Sequence, residues 1–329
     1  MSETYPVYMV GSEIKHRPDI IRMFTRSPNW RVLPFDPFDY DESVPMVMRN
    51  KAGAPIKIRN VHRERVEGTV LFDCNPYGLN GYNGYPGERR PLKVMFNSLC
   101  TSLHDDRLIS CDVERWRRQA VQLNLTCADK WAIKPVKTVV LLLPKAGGWK
   151  NMLKDVFVAK YAAQVKRIHG AHPDYKILLR EHPATAKAKR GRNKNSSRDI
   201  VTRCLDEGMD SSKIGIDTGP LNKIRKRARA VFADWGSAAV QAVMQGVPVF
   251  NVGDRPSELV CHYAAITDLD ALATLETHEF RCTPEECMGY LASFVFTRDE
   301  FDSGAVLRHI ERYFSAVSEF KRDDERDQD

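Results

Sequence analysis

From residue 137 to residue 253 the chain alternates short, unbroken apolar runs with longer stretches whose apolar positions recur every three or four residues. "KTVVLLLPKAGGW" is continuously apolar and closes on a glycine loop, as a strand covered on both faces does. "NMLKDVFVAKYAAQVKRIHG" has helical periodicity with Gly170 as its stop. "YKILLREHP" reads as the next strand, and proline ends it. A capped helix in "SSRDIVTRCLDEG", a short strand in "SKIGID" and a helix in "PLNKIRKRA" follow. Then come a strand in "RAVFADW", a helix in "GSAAVQAVMQG" and a strand in "VPVFNVG". Strands alternating with helices predict a doubly wound parallel sheet, whose ligands bind outside the carboxyl ends of its strands.

The amino-terminal half is less regular. "VYMVGS", "RPDIIRMFTRS" and "WRVLPFD" follow β-α-β order. A loop-rich insertion over residues 75–91 holds four glycines, three tyrosines and three prolines in "NPYGLNGYNGYPGERRP". "PLKVMFNSLC" regains strand character, and "DVERWRRQAVQLNL" is helical. Late in the chain, "TPEECMGYLASFVF" and "DEFDSGAVLRHIERYFSAVSEF" both read as capped helices. The fold class is therefore α/β, with one domain over 1–135 and a ligand-binding domain over 136–295. A closing helix packing back toward the first domain, with a charged tail, occupies 296–329.

Composition narrows the function classes. No apolar run approaches the roughly 18 residues of a membrane span. The amino terminus is charged where a signal peptide is apolar, so a cytoplasmic location is expected. The eight cysteines lack any CxxC pair, which predicts reduced core thiols and no metal site. The net charge of +7 is concentrated in "ATAKAKRGRNKNSSR" and "NKIRKRARA". That bias suits phosphate ligands or a polyanionic partner, and also ordinary solvated surfaces.

Candidate chemistry collects at three strand ends. After "TVVLLLP", Lys145, Gly147 and Gly148 allow close backbone approach at a helix start, although no Walker pattern is present. In "LLREHPAT", Arg180, Glu181, His182 and Pro183 end a strand. The proline holds His182 in extended geometry, where its imidazole can donate to a phosphate oxygen. A histidine packed in a turn explains the same residues. In "ADWGSAAVQ", Asp234, Gly236 and Ser237 open a helix whose first turn is small, and Gln241 shares a face with Ser237. Backbone amides and the Ser237 hydroxyl suit anionic oxygens, and the Gln241 amide suits sugar hydroxyls. Plain N-capping by Asp234 or Ser237 is the alternative. Together the three ends describe a nucleotide diphosphate site.

"REHP" followed some fifty residues later by "ADWGSAAVQAVMQGVPVF" resembles the HP motif and serine motif of a bacterial group. Its members are capsule polysialyl- and Kdo-transferases and CDP-glycerol glycerophosphotransferases, all of GT-B fold. "FTRDEFDSGAVLRHI" is similar to the closing helix of capsule-type glycosyltransferases, so the resemblance spans about 137–315. It implies two Rossmann-type doubly wound domains facing a cleft, with His182 and Ser237 on the donor phosphates. The family often carries an acidic residue where Gln241 stands, and a second serine or threonine where Gly236 stands.

A glycosyltransferase using a nucleotide-sugar donor is thus expected, with no cofactor beyond that co-substrate and no metal, since no DxD-type motif appears in the expected place. The general base is expected from the segment after the first strand, with Glu13, His16 and Asp19 as candidates. The basic runs and the Tyr/Gly/Arg-rich insertion suit DNA as the acceptor, through phosphate tracking and stacking on an extruded base. Phage enzymes that glycosylate hydroxymethylated DNA bases also use GT-B folds. A capsule or surface glycan is the competing acceptor, and a sugar-nucleotide 2-epimerase is a rival enzyme class. A non-catalytic binding protein on a transferase scaffold is a further alternative.

Overall fold

The structure is a computed structural model of the 329-residue chain, and it describes residues 4–10, 18–36, 44, 46–49, 69–73, 92–96, 110–144, 154–182, 196–234, 236–252 and 265–313. Two compact units are present. One contains Met1–Leu99, Leu103–Ser110 and Ser293–Asp329; the other contains Cys100–Ser102 and Cys111–Ala292.

The first unit holds β1 (Tyr5–Val10), α1 (Pro18–Thr25), β2 (Trp30–Leu33), β3 (Met46–Arg49), β4 (Thr69–Asp73) and β5 (Leu92–Phe96). Late in the chain β12 (Val295–Phe296), α7 (Arg298–Asp302) and the helical residues 305–313 complete it. The sheet order is β12-β5-β4-β3-β1-β2. The pairs β2–β1, β1–β3 and β3–β4 are parallel, whereas β5 and β12 run antiparallel. The order 2-1-3-4 across the parallel strands is doubly wound, with its switch point between β1 and β3. Val7, Phe24, Val47, Val70, Phe72 and Val94 form one buried cluster with Phe296, Phe301, Val306 and Ile310. Trp30 Nε1 donates to Glu311 Oε1 at 3.1 Å, which ties the late helix to β2.

The sequence pattern of "TPEECMGYLASFVF" reads as one helix, but the structure divides it. The helix α6 is Pro284–Ala292, and Val295–Phe296 leave it to pair with β5. The two phenylalanines and Val295 are almost fully buried, and β-branched and aromatic residues fit a strand as well as a helix. The following helix is also interrupted. Thr297 and Glu300 form a capping box at the start of α7, and Gly304, at φ +72°, breaks the chain before residue 305. Gly170 is not a helix stop: α3 runs Lys154–Ala171 and passes through it.

The second unit contains α2 (Val113–Leu123), β6 (Thr138–Leu142), α3, β7 (Lys176–Arg180), α4 (Ser196–Asp206) and β8 (Ile214–Ile216). It continues through β9 (Ala230–Ala233), α5 (Ser237–Met244), β10 (Val249–Asn251), β11 (Ala265–Ile266) and α6. Residues 221–226, whose sequence reads as a helix, are a 3₁₀ segment kinked at Lys223. All strands are parallel, in the order β11-β10-β9-β6-β7-β8. Renumbered within the unit this is the 3-2-1-4-5-6 order of the Rossmann fold, and its switch point lies between β6 and β9. β9 is buried along its whole length and β6 along all but its first residue, which explains why their sequences are uninterruptedly apolar.

The first turn after α5 shows how tightly this unit is closed. Gly246 sits at φ +72°, and a Cβ there would lie 2.7 Å from the Lys130 carbonyl oxygen. Ala132 N–H donates to the Gly246 carbonyl at 2.7 Å, so neither strand of the contact can retreat easily. Gly246→Ala is expected to destabilise the protein by about 2 kcal/mol, read as a lower urea midpoint with unchanged slope.

Candidate functional site

The register of the second sheet aligns its strand ends. Leu142 of β6 is opposite Arg180 of β7 on one side and Ala233 of β9 on the other. Ala233 is in turn opposite Asn251 of β10. The three chemistry-bearing segments of the sequence therefore leave neighbouring strands at one level, with β6 central. β8, which lies between two of them in sequence, goes to the far edge beside β7.

At the switch point, Asp234 leaves β9 buried, with only 5% of its surface exposed. It accepts hydrogen bonds from Lys160 Nζ at 3.0 Å and from Tyr161 Oη at 3.1 Å, both on α3. A buried carboxylate must be paired, and here the partners come from the helix that follows the neighbouring strand. Asp234 is thus a clamp across the switch point. The N-cap position of α5 is Gly236, with no side-chain cap hydrogen bond there, and the described partners of Asp234 are both on α3.

Gly236 has φ +120° and ψ 161°, a region open essentially to glycine alone. A Cβ added there would meet no described atom within 4 Å. The turn therefore needs glycine for its backbone and, among the described residues, has space beside it. Ser237 and Ala238 are half-buried in the first turn, while Ala239 is buried. The result is an eight-residue helix with small residues and no side-chain cap, starting beside the switch point of a Rossmann-order sheet. That is the arrangement suited to an anionic ligand. Gln241, half-buried one turn on, accepts at its backbone carbonyl from Gln245 Nε2 at 3.1 Å.

The two residues before His182 are each anchored. Arg180 Nη1 donates to Asp217 Oδ2 at 2.8 Å and to the Gly219 carbonyl. Arg227 also holds Asp217, through Nε at 2.9 Å and Nη2 at 2.8 Å. Burial pushes the Asp217 carboxyl up, but the hydrogen bonds from Arg227 and Arg180 outweigh it and hold it below the usual carboxylate range. Glu181 accepts from the Ser197 N–H at 2.9 Å and Ser196 Oγ at 3.3 Å, tying the strand end to the start of α4. His182 follows directly, half-buried at the carboxyl edge.

Arg180 therefore acts on the strand end through an ion pair with the 217–219 turn. Asp217, Arg227, Lys160 and Tyr161 were not singled out from sequence. The signal for Lys160 is a single cation within the apolar helix "DVFVAKYAAQV"; that for Asp217 is an acid directly after a short strand. Lys145, Gly147, Gly148 and Pro183 lie outside the described residues, as do Glu13 and His16. Asp19 is in the first turn of α1, with its side chain outside the description.

The basic run "NKIRKRARA" divides in two. Arg227 is committed to Asp217, and Arg229 is buried, donating to both Glu276 carboxylate oxygens at 2.6 Å and to the carbonyls of Leu272 and Lys134. Lys223, Arg225 and Lys226 remain exposed on the 3₁₀ segment. The described part of "ATAKAKRGRNKNSSR" begins only at Ser196.

No family model matches the chain, and no curated protein matches it. Among solved structures, it is similar to KpsC beta Kdo 2,4 transferase of Thermosulfurimonas dismutans, with 13% identity and a TM-score of 0.48 over 94% of this chain and 98% of that one. KpsC beta Kdo 2,7 transferase of the same organism gives 11% identity and a TM-score of 0.45, over 92% and 99%. Methanocaldococcus jannaschii UDP-GlcNAc 2-epimerase, in complex with UDP-GlcNAc and UDP, gives 12% and 0.35, over 88% and 97%. At such identities each residue's role in this chain rests on its own geometry.

Replacing Asp217 by Asn leaves two arginines around a neutral amide and is expected to cost about 3 kcal/mol in denaturant unfolding at neutral pH. The carboxylate's folded value is depressed, so its contribution is complete above the ordinary value of 3.8 and disappears as pH falls through the lower folded value. The stability gap between wild type and Asp217→Asn should therefore narrow only in strong acid. A gap independent of pH would show that Asp217 is not held ionised.

Proposed function

We propose that the chain is a nucleotide-sugar-dependent glycosyltransferase whose donor diphosphate rests on the first turn of α5 and on His182. The observation that carries this reading is the opening of α5 beside the switch point, with Gly236 in glycine-only geometry and no side-chain cap. The resemblance of "REHP" and "ADWGSAAVQ" to the capsule-transferase motifs supports the same two positions. Backbone N–H groups of the turn, the Ser237 hydroxyl and the His182 imidazole supply donors to phosphate oxygens. Gln241 meets donor hydroxyls. Lys145, Gly147 and Gly148, on the segment after β6, complete the phosphate contacts, and Asp234 holds the turn in place from behind.

In the reaction an acceptor hydroxyl attacks the anomeric carbon. The bond from that carbon to the phosphate oxygen breaks, and the nucleotide leaves with the electron pair. Donors fixed at the helix start stabilise the charge that develops on the leaving phosphate. The acceptor's proton passes to a base drawn from Glu13, His16 and Asp19, in the segment after β1. No metal takes part in this scheme.

For the acceptor we infer a hydroxymethylated base in DNA. Lys223, Arg225 and Lys226, exposed on one short segment, support a polyanionic partner, as does the net charge of +7.

Two measurements test the reading. Ser237→Ala and His182→Ala should each weaken sugar-nucleotide binding by about tenfold or more, with unchanged circular dichroism. Unaltered affinity in both removes the donor from this turn. Incubation with a panel of sugar nucleotides should release nucleotide when hydroxymethylated DNA is added, and DNA affinity should fall steeply with salt. Release with a surface glycan instead would transfer the acceptor to that class. Binding without release under any condition would make the protein a binding module.

A further inference from the structure

The start of α6 carries an unusual pair of side chains. Thr283 and Glu286 form a reciprocal cap: Thr283 N–H donates to Glu286 Oε2 at 2.7 Å, and Glu286 N–H donates to Thr283 Oγ1 at 3.2 Å. In this motif the residue before the cap often packs against the fourth helical residue, as a hydrophobic pair. Here they are Cys282 and Cys287. Five intervening bonds of sequence are thus folded so that two thiols meet. Their side chains lie close enough to influence one another's ionisation, with Cys287 buried and Cys282 half-buried. Trp131 Nε1 donates to the Cys282 carbonyl at 2.9 Å, which fixes the backbone of the more exposed partner.

The pair is chemically asymmetric. The influence of Cys287 holds the Cys282 thiol below its ordinary value, while that of Cys282, together with burial, pushes Cys287 up. Nearby thiols go the other way: burial pushes Cys111 up to about 11 and Cys127 up to about 12. Burial also raises Cys204, on α4. Among the described residues Cys282 therefore combines access, thiolate character and an adjacent second thiol, the three properties of a redox-reactive cysteine. The absence of CxxC spacing had pointed to inert core thiols. A capping box brings together residues five apart, which that spacing rule does not cover.

We propose that Cys282 and Cys287 are a redox-active thiol pair that hydroperoxides oxidise to a disulfide across the first turn of α6. The Cys282 thiolate attacks one peroxide oxygen, the O–O bond breaks, and the departing oxygen takes a proton and leaves as water or alcohol. Cys282 is then a sulfenic acid. The Cys287 sulfur attacks that sulfur, the S–O bond breaks, and the hydroxyl leaves as water with the proton from Cys287. One hydroperoxide is reduced and two thiols are oxidised; a dithiol reverses the change by exchange. The bond would lock the start of a helix that packs against both α2 and α5.

The test uses the full-length reduced protein. Hydrogen peroxide treatment, alkylation with iodoacetamide and digestion with a glutamate-specific protease report the linkage, because Glu285 and Glu286 separate the two cysteines. A Cys282–Cys287 cross-linked species should appear, vanish with dithiothreitol, and be absent from Cys282→Ser. Without peroxide, iodoacetamide should label Cys282 about tenfold faster than Cys204. Oxidation of Cys282 to sulfinic acid with Cys287 still alkylatable overturns the proposal, and so does linkage of Cys282 to Cys111. If Cys287→Ser folds, its Cys282 should stop at the sulfenic acid and be trapped by dimedone. If it does not fold, the wild-type linkage and Cys282→Ser decide the question alone.

Discussion

The carboxylate of Asp234 sits where the second sheet divides, and much of that unit's order depends on its being neutralised there. A buried carboxylate without partners would cost several kcal/mol. Lys160 and Tyr161 remove that cost, and in doing so they fix α3 against the end of β9. The helix that follows one central strand is thereby tied to the end of the other. The turn that begins at Gly236 is suspended from this joint, so its unusual backbone is imposed by what surrounds it rather than chosen locally.

A second ionic joint does similar work two strands away. Asp217 sits between Arg180 and Arg227, so the loop after β8 is fastened to the end of β7. With Glu181 turned toward α4, the two residues ahead of His182 have no freedom left to wander. The carboxyl edge of the sheet is therefore held by buried charge at both places where sequence chemistry is richest. Such joints contribute less to net stability than to geometry, because desolvation offsets most of the Coulomb gain. What they provide is a single arrangement of the edge.

Legibility in the sequence follows from how local each signal is. β6 and β9 were readable because burial on both faces forces an unbroken apolar run. The α5 helix and its glycine stop were readable because 3.6 periodicity and positive φ at Gly246 leave marks within a few residues. The strand Val295–Phe296 was not, since two apolar residues after a helix carry no period of their own and gain their pairing from β5, some two hundred residues earlier. The partners of Asp234 were equally hidden: Lys160 and Tyr161 are 74 and 73 positions away. Gly236 and Ser237 drew attention as a small first turn, but the question of who caps the helix needed coordinates. Capping by Asp234 was one local alternative, and the described partners of that carboxylate lie on α3 instead. The basic run at 223–229 illustrates the same limit, because surface and core arginines look alike until Glu276 and Asp217 are placed beside them.

One connectivity feature bears on how the chain is made. The first sheet takes its last strand from Val295–Phe296, and its core takes Phe301, Val306 and Ile310 from the same late segment. On the ribosome, roughly two hundred residues must emerge between β5 and the strand that covers its edge. During that interval β5 presents unpaired backbone groups beside an incompletely filled core, the combination that invites aggregation. The second unit, encoded from Cys100–Ser102 and then continuously from Cys111 to Ala292, has no such dependence and can be complete first. The order of maturation is then the reverse of the order of synthesis: the unit begun earliest is finished last.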